Sequence, residues 1–168
     1  HVGHLHVITQ LIEKEIVDLL LVVPAGEPLL RSHAPRATSQ QRRAMCQLAL
    51  SDLPPDVAKK VQVNPIEVLR TGPSYAIDTV EAVVQSYPND SIILIVGQDA
   101  ADKLDQWQRI DELRTMVELV VISRPGYLGN GIDIGALPVA ATTIREGLSA
   151  DVSSSVATFI RENNLYDN

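Results

Sequence analysis

The chain has a single cysteine, Cys46, in 168 residues, which excludes an intramolecular disulfide and fits a reducing compartment. Long apolar runs are missing as well. The longest, Leu19 to Ala25, is interrupted by Pro24 and falls far short of the roughly 20 residues a membrane span needs. The sequence opens on His1, with neither an initiator methionine nor a charged-then-apolar leader, so a start truncated relative to the native one is expected. Basic charge is in deficit: a net charge of -7 and a pI near 5.0 oppose non-specific binding to nucleic acid or anionic membrane, though an acidic protein can still carry a small phosphate site. Repeats, low-complexity tracts and linkers are also wanting. With 45% hydrophobic residues, the chain is expected to form one domain over 1–168 with a substantial core. A cytoplasmic protein without nucleic-acid or membrane partners follows, and a homo-oligomer remains open.

What is present alternates. Runs rich in Val, Ile and Leu at 19–24, 61–68, 92–96 and 119–123 are separated by helical patterns, and strands apolar on both faces belong in a parallel sheet covered by helices on each side. The predicted fold is α/β, a doubly wound, Rossmann-like parallel sheet. An amphipathic run from Leu5 to Ile16 reads as a helix. Thr38 with Gln41 forms a capping box for a helix to about Leu50, carrying Cys46 into the core, and Pro54-Pro55 follows its end. Pro73 suits the first turn of a helix reaching about Gln85. Thr143 with Glu146 suggests another capping box, and Ser153 or Ser154 begins a last helix through Arg161.

Candidate chemistry begins at His1-Val2-Gly3-His4. Two imidazoles at i and i+3, with Gly3 permitting close backbone approach, can hold phosphate oxygens at a helix N-terminus; an exposed, frayed terminus is the plainer reading. A metal site of His1, His4 and His6 lacks a Cys, Asp or Glu nearby to complete it. Gly97-Gln98-Asp99 follows a strand, where Asp99 suits either ribose hydroxyls or the cap of the next helix. Trp107, the only tryptophan, suits either packing or stacking on a flat heterocycle. Gly72 to Thr79 is a loop entering a helix whose free amides can take a carboxylate or phosphate. Thr142, Thr143 and Arg145 place hydroxyls and a guanidinium in a helix's first turn, where an anion would relieve the unfavourable placement of the cation. Arg31 and Arg124 each follow a strand and, taken singly, read as surface arginines.

Together, His1-Val2-Gly3-His4-Leu5, Pro24-Ala25-Gly26, Gly72-Pro73-Ser74-Tyr75 with Asp78-Thr79, Tyr87-Pro88-Asn89-Asp90, Gly97-Gln98-Asp99, Trp107, Arg124-Pro125-Gly126-Tyr127 and Thr142 to Arg145 resemble the bacterial nicotinate-nucleotide adenylyltransferases in order and spacing, over nearly the whole chain. The His-x-Gly-His element alone points to the wider nucleotidylyltransferase superfamily; the Gly-Pro-Ser-Tyr segment and the Asp99 to Trp107 spacing point to its pyridine-nucleotide branch. The resemblance implies transfer of AMP from ATP to nicotinate mononucleotide, giving deamido-NAD and pyrophosphate, with Mg2+ carried on the ATP phosphates rather than by protein ligands. It assigns catalysis to His1, His4 and Arg145, and ATP binding to these with Arg31, Gly97, Asp99, Arg124 and Thr142. Trp107 would stack on the pyridine ring, and amides near Tyr75, Ala76 and Gln108 would receive the nicotinate carboxylate.

Departures from the family pattern shape the expectations. Its glycine-rich first strand and loop, which would precede His1, are not in the sequence. Ala140 replaces a serine, Arg31 a lysine and Ala76 a frequent threonine, so phosphate and substrate contacts are expected to be fewer or rearranged. Alternatives are a sister adenylyltransferase for nicotinamide mononucleotide or phosphopantetheine, and a nucleotide-binding protein without turnover.

Overall fold

A computed structural model describes residues 1–26, 36–123, 125 and 129–166. In chain order the elements are α1 (Val2–Glu13), β1 (Leu20–Val22), α2 (Ser39–Ser51), α3 (Pro55–Ala58), β2 (Val61–Val63), α4 (Ile66–Leu69), α5 (Ala76–Ser86), β3 (Ile93–Gly97), α6 (Gln98–Ala101), a 3-10 turn (Leu104–Gln106), α7 (Ile110–Met116), β4 (Glu118–Ile122), α8 (Ala141–Arg145) and α9 (Ser154–Glu162). Every paired strand is parallel. β1 pairs with β2, Leu20 opposite Val61, and β3 pairs with β4, Ile93 opposite Glu118. Among the described residues the hydrogen bonding thus divides the sheet into two parallel pairs.

Both faces are covered, as apolar two-sided strands require. Along β3 and the residue before it, successive side chains part: Ile93 and Ile95 join a cluster built on α1 (Ile8, Leu11, Ile12), whereas Ile92 and Leu94 join a second one built on α5 and α7 (Ile77, Val80, Leu113). This is the period-two alternation of a strand between two helical layers. The α1 cluster also takes in Leu20 and Val61 from the first strand pair and Val120 and Ile122 from the second, so one apolar cluster spans both pairs. These packing relations make the chain α/β and doubly wound.

Local chemistry explains where elements start and stop. The Thr38 box forms in full: Gln41 N–H donates to the Thr38 hydroxyl at 3.1 Å, and Thr38 N–H donates to the Gln41 side-chain oxygen at 2.8 Å. Cys46 is only half-buried, and α2 buries no residue completely, so the thiol is peripheral to the core rather than part of it. The strand expected over 61–68 ends at Val63. Asn64 accepts the Ile66 N–H at 3.1 Å and Pro65 caps a helical turn instead, so local side-chain capping wins over apolar composition. Pro73 lies outside its helix, not in the first turn. Gly72 takes a φ of 84° and Tyr75 is the extended N-cap of α5, so the loop turns before the helix begins. The box at Thr143 and Glu146 does not form: Thr143 sits within α8, and its hydroxyl turns back to the Ala140 carbonyl at 2.8 Å. Ser153 is the N-cap of α9, as expected, without a side-chain capping bond. No helix among the described residues is long and apolar enough to cross a membrane.

Candidate active site

His1 is the N-cap of α1. Its Nδ1 accepts the His4 N–H at 3.3 Å, and the two rings stack with centroids 3.8 Å apart and planes 15° from parallel. An Nδ1 that accepts this bond assigns the ring proton of a neutral His1 to Nε2, which makes the outer nitrogen a donor. Gly3 is buried beneath the pair. A Cβ there would lie 3.1 Å from His1 Nδ1 and 3.3 Å from Val139 Cβ, so glycine permits both the ring geometry and the approach of the Val139 segment. His6 points elsewhere, with Nε2 3.2 Å from the Ile134 carbonyl. Among the described residues no three His, Cys, Asp or Glu side chains gather around a common point.

The far end of the sequence meets this helix start. Val2 N–H donates to the Asp151 carbonyl at 3.0 Å, and a Cβ on Gly3 would meet Val139, so segments before and after α8 approach the start of α1. Within α8, Arg145 donates to the Thr142 hydroxyl at 3.1 Å; Thr142 is exposed and Arg145 half-buried. Arg145 is the last residue of this five-residue helix, not part of its first turn, so its charge suits the negative end of the peptide dipoles. The conflict inferred from the sequence disappears. Ala140 is the α8 N-cap and supplies no side-chain bond. The Arg145 carbonyl also accepts from Arg36 at 3.4 Å. Arg31 and Arg124, both predicted phosphate ligands, lie outside the described residues.

A second group forms around α5. Its N-cap Tyr75 makes no side-chain capping bond, and the first-turn amides of Ala76, Ile77 and Asp78 have no acceptor within the helix. Trp107 is half-buried against the cluster that includes Ala76, Ile77 and Leu113. Its indole thus belongs to the cluster that joins α5 and α7, with Gln108 exposed next to it. Packing and stacking are compatible when one indole face meets the protein. Arg109 holds the segment in place: in a left-handed conformation (φ 53°) it donates to Glu112 at 2.8 and 2.6 Å and reaches across to Glu81 of α5 at 2.7 Å. Hydrogen bonds to Glu112 and then Glu81 raise the guanidinium pKa further, while Arg109 lowers that of Glu112.

Gly97 and Asp99 sit where β3 passes into α6, Gly97 as N-cap and Asp99 exposed in the first turn. Gly97 rather than Asp99 therefore caps α6, correcting the capping alternative, and the Asp99 carboxylate in the first turn favours the helix dipole. Neighbouring Gln98 is buried, and its amide donates to Asp102 at 2.8 Å. A Cβ on Gly129 would fall 2.3 Å from Gln98 Oε1, so a side chain there would displace the end of the Gln98 side chain. Cys46 is not poised as a nucleophile: burial pushes its thiol pKa up, against smaller opposing effects of the amino terminus and Arg42.

The residues named by sequence thus stand on four parts of the fold: His1 and His4 at the start of α1; Thr142 and Arg145 in α8, whose flanking segments approach that start; Tyr75, Ala76, Trp107 and Gln108 at or near α5; Gly97 and Asp99 at the end of β3. Sequence reasoning missed Glu67. Its carboxylate accepts the Gly26 N–H at 3.2 Å and the Thr79 hydroxyl at 2.9 Å, partners that no motif or spacing links to it.

The cytidylyltransferase-like family profile matches residues 1–160. A Gemmatimonas aurantiaca protein described as "Probable nicotinate-nucleotide adenylyltransferase" is 31% identical, the alignment covering 99% of this chain and 86% of that protein. The nicotinate-nucleotide adenylyltransferase of Bacillus subtilis is 27% identical, with 99% and 92% covered. Among solved structures, the Plasmodium falciparum nicotinic acid mononucleotide adenylyltransferase complexed with NaAD superposes with a TM-score of 0.82 at 15% identity, covering 98% of this chain and 90% of that one. That likeness shows the fold.

Proposed function

Since this chain belongs to the cytidylyltransferase-like family and, within it, to the nicotinate-nucleotide adenylyltransferases, we propose that it transfers AMP from ATP to nicotinate mononucleotide in the cytoplasm, giving deamido-NAD and pyrophosphate. A phosphate oxygen of the mononucleotide attacks the α-phosphorus of ATP. The bond from that phosphorus to the bridging oxygen breaks, and its electron pair leaves with pyrophosphate. The nucleophile belongs to the substrate, so the protein supplies alignment and charge stabilisation.

The observation that carries this reading is the meeting of the α1 start with the segment around α8. Donors from opposite ends of the sequence, the His1 and His4 rings and the Thr142 hydroxyl and Arg145 guanidinium, would hold one triphosphate, the imidazoles and Arg145 facing the charge that grows at the transferring group. Arg31 and Arg124 would add to the phosphate contacts. Asp99, with the Gly97 backbone beside it, would take the ribose hydroxyls. Tyr75, Ala76 and Gln108 amides would receive the nicotinate carboxylate, and the open face of Trp107 the pyridine ring. Magnesium would neutralise charge on the phosphate oxygens, arriving with the nucleotide rather than on a protein ligand cage. A donor set of imidazole, hydroxyl and guanidinium suits a metal that arrives with its nucleotide.

Pyrophosphate release with ATP and each of nicotinate mononucleotide, nicotinamide mononucleotide and phosphopantetheine tests the proposal. Turnover fastest with the nicotinate compound is expected. Preference for either other acceptor, or ATP binding without product, would refute it.

A further inference from the structure

We propose that Glu67 is a positioning residue for the pyridine-nucleotide half of the site, an inference that rests on the function proposed above. Its two carboxylate oxygens serve different elements: Oε2 accepts the Gly26 amide at 3.2 Å, and Oε1 accepts the Thr79 hydroxyl at 2.9 Å. Gly26 closes the turn at the carboxyl end of β1, whereas Thr79 sits in the opening turns of α5, the helix whose first amides would receive the nicotinate carboxylate. One side chain therefore ties together segments that lie 41 and 12 residues from it in sequence.

The surroundings leave little slack. Gly26 is buried, and a Cβ there would fall 2.4 Å from the Glu67 carbonyl oxygen and 2.9 Å from Ser74 Oγ. The turn after β1 is thus wedged against both α4 and the Gly72 to Tyr75 loop. Arg42 closes the opposite side, donating to the Ala25 and Gly26 carbonyls at 2.6 and 2.5 Å. Thr79 is 8% exposed, and Arg70 donates to its hydroxyl at 3.4 Å. Through these two hydrogen bonds Glu67 joins the β1 turn directly to α5. His1, His4, Thr142 and Arg145 stand on other elements. Loss of Glu67 then loosens the α5 amides and leaves the triphosphate donors where they are.

The test uses the full chain with four variants, Glu67→Ala, Glu67→Gln, Thr79→Val and Thr79→Ser, and measures KM for each substrate separately. For Glu67→Ala the KM for nicotinate mononucleotide should rise about tenfold or more, while that for ATP stays within about twofold. Glu67→Gln, which keeps one carbonyl acceptor, should fall between Ala and wild type, as should Thr79→Val; Thr79→Ser should restore near wild-type behaviour. Amide exchange at Gly26 should accelerate in Glu67→Ala. If that variant fails to fold, the isosteric Thr79→Val and its Thr79→Ser partner carry the same contrast. Equal rises in both KM values, or an unchanged nicotinate mononucleotide KM, would overturn the inference. A wild-type chain inactive with nicotinate mononucleotide refutes the proposed function itself, whereas an active wild type insensitive to every one of these changes refutes only the role of Glu67.

Discussion

In α1 and α8, His4 and Thr142 are exposed and Arg145 is half-buried, held by a helix cap, a ring stack and a five-residue helix; Trp107, by contrast, packs against a cluster whose core includes Ile77 and Leu113, 1% and 0% exposed. The first set presents exposed or half-buried polar side chains, the donors to which the proposed function assigns an anion. The second is a wall whose shape follows from close packing. Chemistry and stability are therefore expected to separate along the molecule: changes at the α1 start should alter turnover with little effect on folding, and changes around α5 should alter substrate affinity and folding together.

His4→Ala should give the largest effect. Turnover is expected to fall roughly 10²- to 10³-fold, the loss typical of a donor to transition-state charge, while nucleotide affinity and denaturant midpoint barely move. Single-turnover kinetics beside calorimetric ATP binding would check it, and equal losses in turnover and binding would blur the contrast. Leu113→Ala should cost about 2–4 kcal/mol in denaturant unfolding, with any activity loss tracking the unfolded fraction. Trp107→Ala should affect both properties, raising KM for nicotinate mononucleotide about tenfold and lowering stability by roughly 1–2 kcal/mol; a change in stability alone would reduce the indole to packing. Ala140→Ser supplies the α8 cap that is missing and should stabilise by about 0.5–1 kcal/mol, with a modest fall in KM for ATP.

The smallest effect lies where α9 meets α2. Asp52 accepts the Ser155 hydroxyl at 2.7 Å and its N–H at 3.2 Å, and these hydrogen bonds hold its carboxyl pKa below the ordinary value. A carboxylate with a depressed folded-state pKa contributes stability above its unfolded pKa and loses it as pH falls through the folded one. Unfolding followed between about pH 5 and pH 2, where unperturbed and depressed carboxyls titrate, should show a shallow decline that Asp52→Asn flattens. An identical slope in the variant would remove Asp52 from the account.

Much of the fold was legible in the sequence because its signals are local. The Thr38 box and the apolar runs of β1, β3 and β4 depend on neighbours within a few residues, and those three strands and the helix after Thr38 formed within one or two residues of their expected bounds. The errors also have local causes that composition conceals. Asn64 and Pro65 start a helical turn within an apolar run, and Thr143 satisfies its own helix instead of capping it. The site was legible as a set of residue types and spacings, since His1, His4, Thr142, Arg145 and Trp107 occur in recognisable segments. Its assembly was not legible, because the Val2 to Asp151 bond and the Glu67 bonds to Gly26 and Thr79 arise only from tertiary packing. An isolated glutamate between apolar residues carries no mark of what it will hold.

A double-mutant cycle of His4→Ala and Arg145→Ala, read in kcat/KM for pyrophosphate release, tests most directly whether the two ends of the sequence act on one triphosphate. Groups that stabilise the same developing charge are coupled, so the double variant should lose clearly less than the product of the two single losses, with a coupling of about 1 kcal/mol or more. Losses that multiply independently would place the two side chains at separate sites and contradict the shared pocket.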